Sequence, residues 1–314
     1  AYTDDSQFNI SFRAESSTGK SYIPLEIAQL FPKEDIIEIA YASPSSFFHD
    51  HASRDEETGE FIIDLERKIL IFIDMPHDQL LIRLRPLLSH DRKELIYKIT
   101  DKTAKGKLRT KTVKIIGYPS VIFCTGKLKV EDQEATRHIL LSPETSQEKI
   151  RQAIYLKALR ESNKRAFLKW LESDPLRKLL KERIQLIREE GITNIVIPKP
   201  EIIMSYFTED RKLKPRYTRD VERLIFLIKA LALLNLWHRE RRDGDLIANE
   251  EDIFNALQLY ESIAEAQELG VPPYVYDIYK NIIIPLYKEN GIGVSKRELA
   301  QKFHELHGRV LEDW

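Results

Sequence analysis

Long apolar runs, cysteine pairs and an excess of either charge are all missing from this sequence. Cys124 is the single cysteine among 314 residues, which excludes an internal disulfide and fits a reducing compartment such as the cytoplasm. No run is long and apolar enough to span a bilayer, and nothing resembles a signal peptide, so we expect no membrane partner. The formal net charge is only −1, so any surface that binds nucleic acid must be local.

A phosphate-binding loop is predicted near the start of the chain, where residues 8–21 read FNISFRAESSTGKS. Phe8, Ile10 and Phe12 alternate with polar residues, which is typical of a strand. The loop that follows consists of Ala14, Glu15, Ser16, Ser17, Thr18, Gly19, Lys20 and Ser21. Apolar residues at helical spacing come next, and strand, loop and helix together form the context that such a loop requires. We expect backbone N–H groups to cradle the phosphates of ATP, Lys20 to reach the β and γ phosphates, and Ser21 to bind Mg²⁺. Ala14 replaces the usual first glycine, at little cost unless that position needs a positive φ.

An acidic strand is predicted at residues 69–74, which read ILIFID. A fully apolar strand is typical of the centre of a parallel sheet, and Asp74 at its end would hold Mg²⁺ directly or through water. Taken alone, this pattern would also fit an ordinary buried strand. Met75 stands where a glutamate often follows, and Asp78 is the nearest substitute for polarising the attacking water.

A basic hairpin is predicted between the Asp74 strand and the next buried strand. Residues 94–100 and 108–116 are β-prone runs separated by charged residues and a glycine. From Arg92 to Lys114 there are nine Lys or Arg and two acidic residues, a net charge of +7 in a nearly neutral chain. The cations that we expect to bind DNA phosphates are Lys102, Lys105, Lys107, Arg109 and Lys111. A merely solvated hairpin is the alternative.

Other elements are predicted from periodicity and from breakers. We expect a strand at 38–42 and a helix that begins at Asp78 and is ended or kinked at Pro86. Long charged helices follow at 146–171 and 175–190. Two further helices are expected at 218–237 and 250–268, joined through a turn at 243–245.

The order of these parts resembles that of the ring-forming AAA+ helicases. Minichromosome maintenance (MCM) proteins and superfamily 3 viral helicases share such an inserted hairpin. Residues 119–125 (PSVIFCT) look like their sensor 1 strand, with Thr125 nearest to the place of the usual Asn. Residues 134–140 (EATRHIL) are similar to the segment that carries their arginine finger. The resemblance implies that Arg137 reaches the nucleotide of a neighbouring subunit; by sequence alone, it could equally be a surface charge.

The C-terminal part extends the resemblance. The helices at 218–237 and 250–268 resemble the MCM helical lid, in which an arginine at the start of the first helix acts as sensor 2. Arg219 matches that place, and Arg216 and Arg223 stay open as alternatives. Residues 274–288 and a capping box at Ser295 and Glu298 look like the first half of a winged helix-turn-helix.

The resemblance implies an α/β fold with three parts. These are an AAA+ phosphate-loop ATPase core with an inserted β-hairpin at 1–205, a helical lid at 206–270 and a partial winged helix-turn-helix at 271–314. The implied function is ATP-driven movement on single-stranded DNA by a homo-hexameric ring, as in the helicase modules of phage or plasmid replication proteins. Such modules are often fused to or associated with a primase domain. Since the first residue is not Met, we expect a longer parent protein.

A regulator that ATP switches, and that binds DNA without unwinding it, is the alternative function. It too joins an AAA+-type core to a winged helix, and it hydrolyses ATP slowly or not at all. Three departures from the helicase pattern are Ala14, Met75 and the missing sensor 1 Asn. Met75 favours the regulator, whereas the basic hairpin favours the motor.

Overall fold

The structure, a computed structural model, describes residues 1–15, 17–40, 47, 52–55, 60–101, 109–126, 137–209, 212–291, 293–308 and 310–311, with the backbone alone at 99–101 and 109–110. The strands are β1 (Asn9–Arg13), β2 (Ile36–Ile39), β3 (Ser53–Arg54), β4 (Phe61–Asp64), β5 (Ile69–Phe72), β6 (Glu94–Asp101), β7 (Arg109–Ile116), β8 (Ser120–Thr125), β9 (His138–Leu141), β10 (Ile195–Val196), β11 (Arg241–Arg242) and β12 (Asp245–Ile247). The helices are α1 (Tyr22–Ala28), α2 (Asp78–Leu88), α3 (Gln147–Ser162), α4 (Lys164–Ser173), α5 (Pro175–Glu190), α6 (Pro200–Thr208), α7 (Tyr217–Leu234), α8 (Glu250–Leu269), α9 (Pro273–Ile278), α10 (Ile284–Asn290) and α11 (Lys296–His307).

The protein has an α/β fold built on a parallel sheet in the order β2-β5-β8-β1-β9. The predicted strands at the phosphate loop and before Asp74 are confirmed as β1 and β5, whereas β2 lies earlier than the predicted 38–42. Ser11 and Arg13 are polar residues that alternate with the apolar residues of β1. Both side chains are buried, because β1 lies between β8 and β9 and is covered on both faces, and the Arg13 Nε donates to the Ser11 Oγ at 3.0 Å.

The predicted hairpin is confirmed as the antiparallel pair β6 and β7, which belongs to a second sheet in the order β3-β4-β7-β6. Its tip, residues 102–108, lies outside the described residues. Helix α2 packs between the two sheets, where Leu80 and Leu84 are buried together with Phe72 and Val113. Of the two expected outcomes at Pro86, an end or a kink, the end is wrong, because the helix continues to Leu88. Its solvent side is exposed at Ile82, where water can bond the carbonyl that the proline leaves unpaired.

The predicted helix at 146–171 is divided into α3 and α4 at Asn163. The Asn163 side chain accepts a hydrogen bond from the Ala166 N–H at 3.0 Å and so caps the start of α4. Helix α5 begins with the cap Asp174 followed by Pro175, and it ends at Gly191, whose φ of 62° suits glycine.

Helices α7 and α8 enclose the second large apolar core, which includes Leu224, Ile228 and Ala256 and extends to residues on both sides of position 205. The predicted turn at 243–245 is confirmed: Asp243 and Gly244 have positive φ between β11 and β12. Gln267 of α8 joins this part to the central sheet. Its Oε1 accepts from the Leu140 N–H at 2.9 Å and its Nε2 donates to the His138 carbonyl at 3.0 Å, so it pairs with the edge strand β9 as a further strand would.

The last helices pack around a small apolar cluster that includes Ile282 and Phe303. A π-helical turn, Tyr279–Ile283, connects α9 and α10. The predicted capping box at Ser295 and Glu298 is confirmed at the start of α11. Within the described parts of the chain, we find no helix with both the length and the apolar character that a membrane span requires.

Candidate functional site

The predicted phosphate-loop residues meet the acidic strand at one edge of the central sheet. Because β1, β5 and β8 are parallel, their carboxyl ends lie at the same edge. The Lys20 Nζ donates to the Glu15 carbonyl at 3.4 Å, and the Ser21 hydroxyl lies 3.5 Å from the Ile73 carbonyl oxygen, next to Asp74. The structure therefore brings Lys20, Ser21 and Asp74 together, as the sequence predicts.

Cys124, near the end of β8, is a site residue that sequence reasoning missed. Its thiol hydrogen-bonds the Ser21 hydroxyl and lies within electrostatic reach of Lys20 and Asp74. Burial raises the pKa of the thiol to about 11, so it stays protonated at neutral pH. The position of β8 between β1 and β5 explains the contact, but no sequence pattern gives that strand order.

The backbone φ angles of the loop explain why alanine is tolerated at position 14 and glycine is needed at position 19. Ala14 is buried, and it is not among the residues with positive φ, so alanine fits there without backbone strain. Gly19 has a φ of 91°, where a side chain would be strained, so this glycine is required. Ser16 lies outside the described residues.

The other catalytic residues predicted at this edge differ in position. Asp78 is exposed in the first turn of α2. Thr125 ends β8 as a buried residue, and its carbonyl accepts from the Ala14 N–H at 3.4 Å. The backbone of Thr125 thus holds the start of the predicted phosphate loop.

The Ser21 hydroxyl and the Asp74 carboxylate have the chemistry to hold Mg²⁺. Magnesium prefers hard oxygen ligands and is commonly bound through one or two protein groups plus substrate phosphates and water. Two such groups beside a lysine that can reach phosphates therefore fit the ion. No cluster of three or more His, Cys, Asp or Glu that could hold a metal occurs within the described ranges.

A polar pocket of about 320 Å³ lies at the opposite edge of the sheet, between the amino ends of β1 and β9 and helix α7. Its lining consists of Gln7, Phe8, Asn9, Leu88, Ser89, His90, Asp91, Arg137, Arg219, Glu222, Arg223 and Phe226. Asn9 starts β1 and the phosphate loop follows its end, so the length of β1 separates the two sites by roughly 13 Å at about 3.3 Å per residue.

The pocket contains both arginines that the sequence predicts to contact a nucleotide. The Arg137 Nε donates to the Ser89 Oγ at 2.5 Å, just before β9 begins. Arg219 enters from the first turn of α7. Arg216 and Arg223 both pair with the buried Asp220, at 3.0 and 2.6 Å.

The predicted DNA-binding cations are described only in part. Lys102, Lys105 and Lys107 lie outside the described residues. Arg109 pairs with Asp101 through the backbone of the hairpin. The Lys111 Nζ lies 3.3 Å from the centre of the Phe61 ring, a cation–π contact in the half of β7 nearer the tip of the hairpin.

The two edges of the central sheet thus carry complementary groups. One has a lysine, a hydroxyl and a carboxylate, groups whose chemistry fits phosphate and Mg²⁺, and the other has guanidinium groups in a polar pocket. In the comparisons with known proteins, no protein-family model matches this chain and no curated protein matches it.

Proposed function

We propose that this chain is an ATP-driven DNA helicase module that acts as a ring. The finer fold that we propose is an AAA+ core, a helical lid and a partial winged helix. The observation that carries the proposal is the position of Arg137 and Arg219, which share one pocket at the sheet edge opposite to Lys20 and Asp74. Arginines at this edge are poorly placed for the nucleotide of their own subunit, and well placed for that of a neighbour.

A head-to-tail assembly makes use of both edges. In such an assembly the phosphate-loop edge of one copy meets the arginine pocket of the next, and a heterologous contact of this kind closes into a ring when the rotation allows it. The charges agree with this arrangement, since guanidinium groups bind phosphate oxygens in planar, bidentate geometry. Each ATP site then has two halves, contributed by two subunits.

The roles of the residues follow from these positions. Lys20 binds the β and γ phosphates, and Ser21 and Asp74 would hold Mg²⁺, which supplies charge neutralisation on the phosphates when bound. Arg137 of the neighbour offsets the charge that develops on the transferred phosphoryl group, an effect on the order of 10³-fold in rate. Arg219 supports it from the lid, because it lines the same pocket as Arg137.

The basic hairpin is the part of the chain that we propose to contact the DNA strand. Strands β6 and β7 belong to the second sheet, and their pairing extends over eight residues on each strand. Cations at the tip of the hairpin would contact the phosphates of single-stranded DNA without reading its sequence. A motor that steps along any sequence requires this kind of contact.

The regulator remains a second candidate, and Met75 after Asp74 is the observation that favours it. The two functions differ in how DNA affects ATP turnover. The test is the steady-state ATPase rate of the full-length protein with and without single-stranded DNA, with Lys20→Ala as the control. A motor predicts stimulation of several-fold, absent in the Lys20→Ala variant. An unchanged rate would favour the regulator.

A further inference from the structure

At the phosphate-loop edge, the described part of the chain has no glutamate in the usual place after Asp74. Transfer of the γ-phosphoryl group to water needs a residue that orients the water and takes its proton. Met75 replaces the glutamate expected after Asp74, and an oxygen of Asp74 accepts from the Met75 N–H at 2.8 Å. Asp78 points from the exposed first turn of α2. A carboxylate from elsewhere could therefore complete the site.

The arginine pocket contains such a carboxylate, Glu222. It lies three residues after Arg219 on α7, so both side chains share a face of the helix and both line the pocket with Arg137. Burial raises the pKa of Glu222 above its usual value, and Asp91 raises it further, whereas Arg219 and Arg223 oppose the shift. A carboxylate of raised basicity is a better proton acceptor near neutral pH.

Two residues that line the same pocket have buried side-chain acceptors without a donor among the described residues. Gln7 and Asn9 are 2% and 3% exposed, and their side-chain oxygens have no donor in the described part of the chain. Their amide nitrogens are used, because Gln7 donates to the Thr3 carbonyl and Asn9 donates to the Leu88 carbonyl at 2.9 Å. Buried acceptors are almost always paired, so these two amide oxygens are exceptions within this pocket.

We propose that Glu222 is the catalytic base for the ATP bound by the neighbouring copy, an inference that rests on the proposed function. The attacking water gives one proton to the Glu222 carboxylate as its oxygen bonds to the γ phosphorus. The bond between that phosphorus and the β–γ bridging oxygen breaks, and its electron pair leaves with ADP. The proton on Glu222 then passes to solvent. Arg137 and Glu222 thus enter each site from the same subunit.

Subunit mixing of the full-length protein tests this assignment, because each ATP site combines a Lys20 half and a pocket half. Alone, Glu222→Gln should lower ATP turnover by about 10²- to 10⁴-fold while a non-hydrolysable ATP analogue still binds. Mixed with Lys20→Ala, it should regain activity, since about a quarter of the interfaces in an equal mixture then have two intact halves. Mixed with Arg137→Ala, it should regain none, since every pocket half then has one defect.

A mixture of Lys20→Ala and Arg137→Ala subunits serves as the reference. It distinguishes a failure of the proposed function from a failure of the Glu222 assignment. If Lys20→Ala and Arg137→Ala do not complement each other, the shared site of the proposed function is wrong. If they do, but Glu222→Gln is rescued by Arg137→Ala instead of Lys20→Ala, Glu222 works beside its own Lys20 and the inference is overturned. It is also overturned if Glu222→Gln keeps normal turnover, or if it loses analogue binding and is rescued by neither partner. Glu261→Gln, on the exposed side of α8, should match the parent throughout.

Discussion

Gly126 faces Lys20 across the carboxyl edge of the central sheet, so that a Cβ atom on Gly126 would lie 3.8 Å from the Lys20 Nζ and 3.9 Å from the Ala14 carbonyl oxygen. These are ordinary contact distances, and Gly126 is not among the residues with positive φ. The position can therefore take a side chain. It follows Thr125, the residue that sequence analysis placed nearest to the missing sensor Asn.

Gly126→Asn should accelerate ATP hydrolysis. Its amide would stand beside Lys20 and could orient the terminal phosphate, and one well-placed donor can be worth on the order of 10-fold or more in rate. Gly126→Ala adds the same Cβ without the amide and is the matched control. Steady-state turnover of the two variants decides the matter, and an Asn variant no faster than the Ala variant would contradict the account of this edge.

Replacing Lys102, Lys105 and Lys107 together by Ala should weaken DNA binding about equally for all sequences. Phosphate contacts carry no sequence information, and each one lost should flatten the slope of log K against log salt by about 0.7 for a single strand. Salt titrations by fluorescence anisotropy measure this slope. Unwinding should fall further than binding, and ATP turnover without DNA should stay at the parent level.

A matched variant removes the same charge elsewhere. Lys157, Lys164 and Lys169 are exposed on α3 and α4, and changing them to Ala should leave the salt slope unchanged. Equal losses in both triple variants would mean that overall charge, and not the hairpin, binds DNA.

Gln267→Ala should destabilise the junction between α8 and the central sheet. It leaves the Leu140 N–H and the His138 carbonyl without partners in a buried setting, at a cost of about 2–4 kcal/mol in the free energy of unfolding. Gln258→Ala, on the exposed side of the same helix, is the control and should cost little. Denaturant titration followed by circular dichroism compares the two; equal midpoints would show that the Gln267 contacts contribute nothing.

Alkylation of the single thiol, Cys124, should be slow in the native protein because the side chain is buried. Cys124 is 1% exposed and its pKa is raised to about 11, so the native thiol should react on the order of 100-fold or more slowly than a free cysteine at pH 8. Mass spectrometry after timed exposure to iodoacetamide measures this rate without interference from other thiols. Rapid labelling of the native protein would contradict the buried position of Cys124.

The sequence predicted those strands, turns and caps that depend only on a few neighbouring residues. The apolar run before Asp74, the two runs of the hairpin and the capping box at Ser295 all have the structures expected. The division at Asn163 was missed because a cap within a charged helical run changes no periodicity. The continuation of α2 past Pro86 depends on tertiary packing of Leu87 and Leu88, which overrides the breaker.

The residues of the candidate site likewise include some that could be predicted from the sequence and some that could not. The loop between β1 and α1 could be predicted because its residues are contiguous, and the position of Asp74 could be predicted because it follows an apolar, buried strand. The meeting of Asn9, Arg137 and Glu222 could not, because it depends on β9 pairing with β1 and on α7 packing against that edge. The burial of Arg13 could not be predicted either. Alternation of apolar and polar residues indicates a strand with one covered face, whereas β1 is covered on both faces.

The central claim is that each ATP site is shared between two copies, and mixing Lys20→Ala with Arg137→Ala subunits of the full-length protein tests it most directly. Neither variant alone should hydrolyse ATP, because one lacks the loop lysine and the other the pocket arginine. In an equal mixture about a quarter of the interfaces combine two intact halves, so ATPase activity should return to a comparable fraction of the parent rate. Activity that stays at zero at every mixing ratio would contradict the account.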